Sequence, residues 1–338
     1  MYLLTVVLCL PGARAADLPV AVDADTEGAA ASEHVDVDAD LKGTYTADIY
    51  QRRISENINN AAQWVDSFFD DDRYIAEDAS SKLRFGQSVF LEYGANPKLN
   101  TRLNVSLDVP NTEKKLRLFI GSEDDANPTS EQLPDSVDDN DIARDGSSAG
   151  VQFFAKASDK QNLSVSAGIK VSSADLFIGP RYRRTVSLDD WLFRFTQRFR
   201  WYTGQGWESR TRLDFERLVG QDLFFRQTFD GRWREEDPGY RYESRSSVIQ
   251  ALKSRKAIEY QWANLFSTDP QQRLVSTVFR LRYRQNFLRK WLFYEMNPQL
   301  ALRNDEHFKP KAGIVLRIEV VFGGKDFLKS GSDQPDDR

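Results

Sequence analysis

The sequence predicts an all-β, membrane-spanning fold: a transmembrane antiparallel up-and-down β-barrel of about 14 strands, preceded by a short α-helix. Twelve strands would also satisfy the pattern if the two weakest segments, 115–121 and 149–157, drop out. Three observations carry this reading. The first is strict alternation, as in Phe279, Leu281 and Tyr283 set between Arg280, Arg282 and Arg284. Successive side chains of a strand point to opposite faces, so each such stretch has one greasy face and one charged face. The second is the bulk of the greasy residues and the shortness of the turns between them. The third is an apolar run at the front, Tyr2 to Leu10, followed by Ala13-Arg14-Ala15. Together they favour lipid outside and water or ion pairs inside over a soluble sandwich.

Residues 1–15 read as a secretory signal, with an apolar h-region and a small-residue cleavage site. The run is about half the roughly 20 residues a transmembrane helix needs. Cys9 is the one cysteine and would leave with the signal. Residues 16–47 form an acidic leader without apolar period, expected to be disordered. Asp36, Asp38 and Asp40 have the spacing of a calcium loop, but Leu41 stands where that loop needs glycine and Ala47 where it needs a bidentate acid. A solvated linker is the expectation there.

Residues 48–72 predict an amphipathic helix. Ile54, Ile58, Ala61, Ala62, Val65, Phe68 and Phe69 recur every three or four positions, which places Asp66 with Arg52, Glu56 and Asn60 on other faces. Four roles fit: packing on the barrel mouth, plugging the lumen, lying on a leaflet, or serving a partner protein as a handle through 48–69.

The barrel itself is expected over 82–323, with strands at 82–94, 99–109, 115–121, 149–157, 161–172, 175–185, 190–203, 207–218, 221–234, 240–253, 256–267, 274–288, 291–303 and 309–323. Turn residues separate them, such as Ala95-Asn96-Pro97 and Asp237-Pro238-Gly239. Most of these stretches exceed the 9 to 11 residues or so that a tilted strand needs to cross a bilayer. Val89, Leu103, Phe199, Phe229, Trp262 and Leu316 are among the outward residues. An arginine at the lipid midplane costs roughly 2–4 kcal/mol, so the arginines belong on the wet face. The expected lumen comprises Arg194, Arg198, Arg210, Arg212, Arg226, Arg280, Arg282 and Arg284 with Glu208, Glu216, Glu259 and Glu295.

Charge divides by region. Residues 16–80 carry a net −12 and residues 122–145 a net −8, while the strands carry +15. The acidic segment 122–148 is the one long loop and, with both chain ends in the periplasm, falls outside the cell. Asp135, Asp138, Asp139 and Asp141 within it are candidates for a gate folding onto the basic lumen.

The last strand, Lys311-Ala312-Gly313-Ile314-Val315-Leu316-Arg317-Ile318 with Phe322 beyond, resembles the C-terminal assembly signal of bacterial outer-membrane β-barrel proteins. Lys311, Gly313, Leu316, Ile318 and Phe322 carry the resemblance, which spans the signal peptide and the strands as an architecture rather than as one sequence family. Family members commonly end on the aromatic residue, whereas a tail at 324–338 follows here. The resemblance implies a Gram-negative outer membrane, contact with its lipid and lipopolysaccharide, insertion by the barrel-assembly machinery, and a periplasmic side for helix and tail.

Two functions are then open: a narrow, anion-leaning pore or small-solute channel, and a closed structural or envelope-assembly scaffold that recruits a periplasmic partner through 48–69. An enzyme is not expected. The chain has two histidines, His34 in the leader and His307 in a late loop, and neither has a nameable serine partner. No metal or cofactor is expected, because His, Cys and carboxylates do not cluster. Nor is nucleic acid, because the arginines line a barrel rather than a groove-binding face.

Overall fold

The computed structural model describes residues 57–66, 68–69, 81–109, 115–121, 148–158, 160–171, 173–220, 223–237, 239–253, 255–289 and 291–323. The signal, the leader, the 122–147 segment with its four candidate gate aspartates, and the tail lie outside these residues. Helix α1 occupies 57–66 and 68–69. The strands are β1 (Lys82–Glu92), β2 (Lys98–Asp108), β3 (Leu116–Gly121), β4 (Ser148–Ala157), β5 (Gln161–Lys170), β6 (Asp175–Leu188) and β7 (Trp191–Tyr202). They continue as β8 (Gly206–Val219), β9 (Leu223–Arg234), β10 (Tyr240–Lys253), β11 (Lys256–Ser267), β12 (Arg273–Asn286), β13 (Leu292–Arg303) and β14 (Pro310–Gly323).

Each strand pairs antiparallel with the next, and β14 returns to β1 from Lys82↔Gly323 to Glu92↔Gly313. Closure leaves no edge, the condition for a sheet to stand in hydrocarbon. The count is fourteen, not twelve. β3 is short, yet all six of its residues pair with β4. β6 runs three residues past the expected 185, because Val186, Ser187 and Leu188 still pair with β7 although their side chains have lost the alternation. The end where β1 begins and β14 finishes is termed proximal and the other distal.

The alternation sorts as the chemistry requires. Phe279, Trp262, Leu103, Leu316 and Ile318 are exposed outward, while Arg282, Arg284 and Glu319 between them are buried. Bulky aromatics gather at both rims, as an interfacial belt does. Trp201 pairs with Trp207 and Trp233 with Tyr240 distally; Trp291 stacks on Phe322 proximally, at 5.7 Å between rings. Leu103, midway along β2, tests this sorting. Leu103→Arg is expected to destabilise the barrel by about 2–4 kcal/mol in urea titrations from lipid vesicles, whereas a shift below about 0.5 kcal/mol would place that face in water.

Glycine does one specific job inside. Gly150 and Gly168 are opposed across β4 and β5, and the rings of Phe119 and Phe177 lie over them. A Cβ on either glycine would sit 2.9 Å from a ring carbon and closer still to the opposite carbonyl. The bare backbone lets Phe119, Phe177 and Tyr202 line the distal inner wall.

Candidate functional site

The lumen is built by the inward half of each strand, and α1 lies within its proximal end. Ile58, Ala62, Val65, Phe68 and Phe69 form the helix's apolar stripe. They pack on Leu192, Phe224, Ile249, Ala257, Phe293 and Val321, the inward residues nearest the proximal ends of β7, β9, β10, β11, β13 and β14. Phe68 meets Phe293 edge-on at 6.1 Å, and Trp64 stacks on Phe68 at 5.1 Å. Of the four roles open to this helix, the geometry shown is a plug. A partner protein would have to extract it before gripping its apolar face.

Asp66 corrects the sequence expectation. It was placed off the apolar stripe, yet it lies four residues after Ala62 and eight after Ile58, in line with them, and is 0% exposed. Its carboxylate accepts from Arg194 Nη1 at 3.2 Å and from Arg226 Nη2. The same two arginines hold Glu216, Arg194 Nη2 at 2.9 Å and Arg226 Nε at 2.6 Å. Two guanidiniums and two carboxylates thus alternate around a closed square, one corner of which is the helix. Three residues further on, at the helix's C-terminal end, Arg282 Nη2 donates to the Phe69 carbonyl at 2.9 Å, and its guanidinium lies 5.0 Å from the Phe69 ring centre.

Further acid centres organise the remaining expected site residues. Glu295 accepts from Arg282 at 2.9 Å, Arg284 at 3.0 Å, Arg317 at 3.4 Å and Asn297 at 2.8 Å. Arg284 also reaches Glu319 at 3.0 Å, and Arg282 faces Glu259 at 3.8 Å. Asp230 is clamped by Arg210 at 2.8 Å and Arg212 at 2.7 Å, and Glu208 by Arg198 at 2.7 Å and Arg234 at 2.9 Å. The structure therefore joins eleven of the twelve expected lumen residues into ion pairs. Arg280, the twelfth, points inward and makes no ion pair among the described residues.

Cations remain in excess. Among the described residues, fourteen lysines and arginines are buried against nine carboxylates. Leaving a buried charge unpaired is costly, and five of these carboxylates, Asp66, Glu208, Glu216, Asp230 and Glu295, each bridge two or three guanidiniums.

Sequence reasoning missed the burial of Asp66 and, although the alternation puts Glu319 on the lumen face, the ion pairs that Arg317 and Glu319 make. The periodicity of 58, 62 and 66 was the available signal for the first; nothing local signals the other two, which depend on the closing pair of strands. On β14, Leu316, Ile318 and Phe322 face outward, while Lys311 and Gly313 face inward. A Cβ at Gly313 would lie 2.8 Å from the Phe90 ring. His307 is exposed in the β13–β14 turn. Among the described residues, no group of three His, Cys, Asp or Glu is placed to hold a metal ion, and no helix is long and apolar enough to cross a membrane.

No family model and no curated sequence matches the chain. Solved structures with a related chain path include the OmpT loop L8 deletion mutant of Vibrio cholerae, an outer-membrane protein, at 9% identity and TM-score 0.45 over 72% of this chain and 100% of that one. The anion-selective porin of Comamonas acidovorans matches at 7% identity and TM-score 0.42, over 72% and 98%. The outer-membrane channel DcaP of Acinetobacter baumannii matches at 10% and 0.40, over 72% and 96%. What those barrels pass is a property of those proteins. For the present chain the geometry itself decides the fold: an apolar outer wall with aromatic rims, a charged interior and a sheet closed on itself make it a fourteen-stranded antiparallel β-barrel of the membrane-spanning kind.

Proposed function

We propose that this barrel is a narrow, anion-leaning pore held shut by its own N-terminal helix. The observation that carries the reading is the buried cationic excess of the interior, together with a stopper that is ion-paired into it at Asp66. A low-dielectric wall lined by one sign of charge concentrates the opposite ion. The plug fills the proximal end with side chains that belong to a separate element, so it can leave without breaking any strand pairing. Strand ladders and interior ion pairs would hold a permanently closed scaffold equally well, but such a scaffold has no need of a detachable helix with a carboxylate on its apolar stripe.

Planar-bilayer recording of the full chain in asymmetric potassium chloride tests the reading. The expected result is rare, discrete openings whose reversal potential favours chloride, becoming frequent when α1 is deleted. Silence from a heat-modifiable, correctly folded barrel without α1 would overturn the pore and leave the closed scaffold standing.

A further inference from the structure

One row of the interior stands apart from the ion-pair network. Gln261 on β11, Arg280 on β12 and Gln299 on β13 are Cα partners across three neighbouring strands, and all three point inward. None makes a side-chain hydrogen bond or ion pair among the described residues. Gln299 is 6% exposed, and both its amide nitrogen and its amide oxygen are buried without a partner, as is Arg280 Nε. The Asn297 Oδ1, one inward step away on β13, is in the same condition. A native interior keeps few such groups, because each forfeits the hydrogen bonds it made in water.

The inward side chains beside this row are small on one side and cationic on the other. On its distal side the inward residues are small: Ala263, Val278 and Ala301. The next position along the row, on β14, is Gly313, and the Phe90 ring closes the row there. On its proximal side stands Arg282, which grips the end of the plug. Arg245 and Arg282 flank Arg280 and add positive potential, while Glu243 and Glu259 lie on the same face and oppose it. Glu243 is already bonded to Arg245 and Glu259 faces Arg282, so neither is committed to Arg280.

We propose that Gln261, Arg280 and Gln299 form a binding subsite for a small carboxylate bearing a hydroxyl group beside it. A guanidinium presents a planar fork that matches a carboxylate. A carboxamide offers an NH2 group that donates and a carbonyl oxygen that accepts, a combination that a bare anion cannot use fully but a hydroxyl can. The two amides on either side of the cation thus select for a ligand that is charged at its centre and hydroxylated at its flank. The subsite deepens the pore reading, and rests on it only for the ligand's route inward from the distal mouth.

Isothermal titration of the refolded full chain with glycolate and with acetate, two probes differing by that hydroxyl, tests the proposal. Glycolate is expected to bind about tenfold tighter than acetate, the worth of one net hydrogen bond near the top of its usual range. Arg280→Gln should abolish binding of both, and Arg280→Lys should restore part of it, which separates loss of charge from loss of fold. Gln299→Leu should bring the two affinities together while leaving acetate unchanged. Equal affinity for both probes in the wild-type barrel, or binding unaffected by Arg280→Gln, overturns the subsite. Conductance without glycolate binding would sink the subsite and leave the pore; glycolate binding by a barrel that never conducts would do the reverse.

Discussion

Replacing Asp66 by alanine is expected to unseat the helix and leave the barrel standing. Arg194 and Arg226 would keep Glu216 but lose a carboxylate that binds both of them, although each guanidinium is less than a tenth exposed. Removing one partner of a buried ionic cluster costs about 3–5 kcal/mol. That cost falls on the docked state of α1, because no strand pairing involves Asp66. At about 1.4 kcal/mol per factor of ten, the closed-to-open ratio falls by about two to four powers of ten. Two readings check it together. Single-channel recording should pass from rare to sustained opening, and Trp64, half-buried against Phe68, should shift its fluorescence to the red as water reaches it. A variant with wild-type open probability and unshifted emission would mean that the apolar stripe alone holds the plug. Asp66→Asn separates charge from shape, since it keeps hydrogen-bonding capacity and should give an intermediate effect.

Glu295 should matter to the barrel wall rather than to the plug. Its two oxygens bridge Arg282, Arg284 and Arg317 on β12 and β14, flanking its own strand β13. Glu295→Ala leaves three guanidiniums with Glu259 at 3.8 Å and Glu319 at 3.0 Å as remaining counter-charges. The expected loss is about 3–5 kcal/mol, read as a lowered midpoint in guanidinium chloride unfolding from lipid vesicles. High salt should recover little of it, because buried charges are poorly screened and poorly reached. A loss below about 1 kcal/mol, the scale of exposed pairs, would show that water floods this part of the lumen.

Much of this architecture was legible in the residues themselves. A period of two is imposed by the strand and cannot be imitated by a helix, so Phe279-Arg280-Leu281-Arg282 declares both its conformation and its two faces. The arginines of the lumen followed because lipid leaves them nowhere else to go. Pairing was less legible: Glu295 meets Arg317 only because β14 closes against β13, and no spacing along the chain announces it. The plug was half-legible. Its period identified a helix with an apolar stripe, but whether that stripe meets lipid, a partner or the chain's own barrel depends on which surface is nearby after folding. Asp66 was misplaced because its polarity outweighed its position in the period, when in fact a lone carboxylate on an apolar stripe was the clue that arginines awaited it.

The stopper's partners are far away in sequence. Asp66 bonds to residues 128 and 160 positions later, and the Phe69 carbonyl to one 213 positions later. The surface that receives α1 is shared among six strands, from β7 to β14, and exists only when those strands are adjacent. Although α1 precedes every strand in the chain, its seat is among the last features of the molecule to come into being. Loop closure over such separations gains nothing until the distant elements are in place. The helix can therefore take its seat only where those six strands already stand side by side.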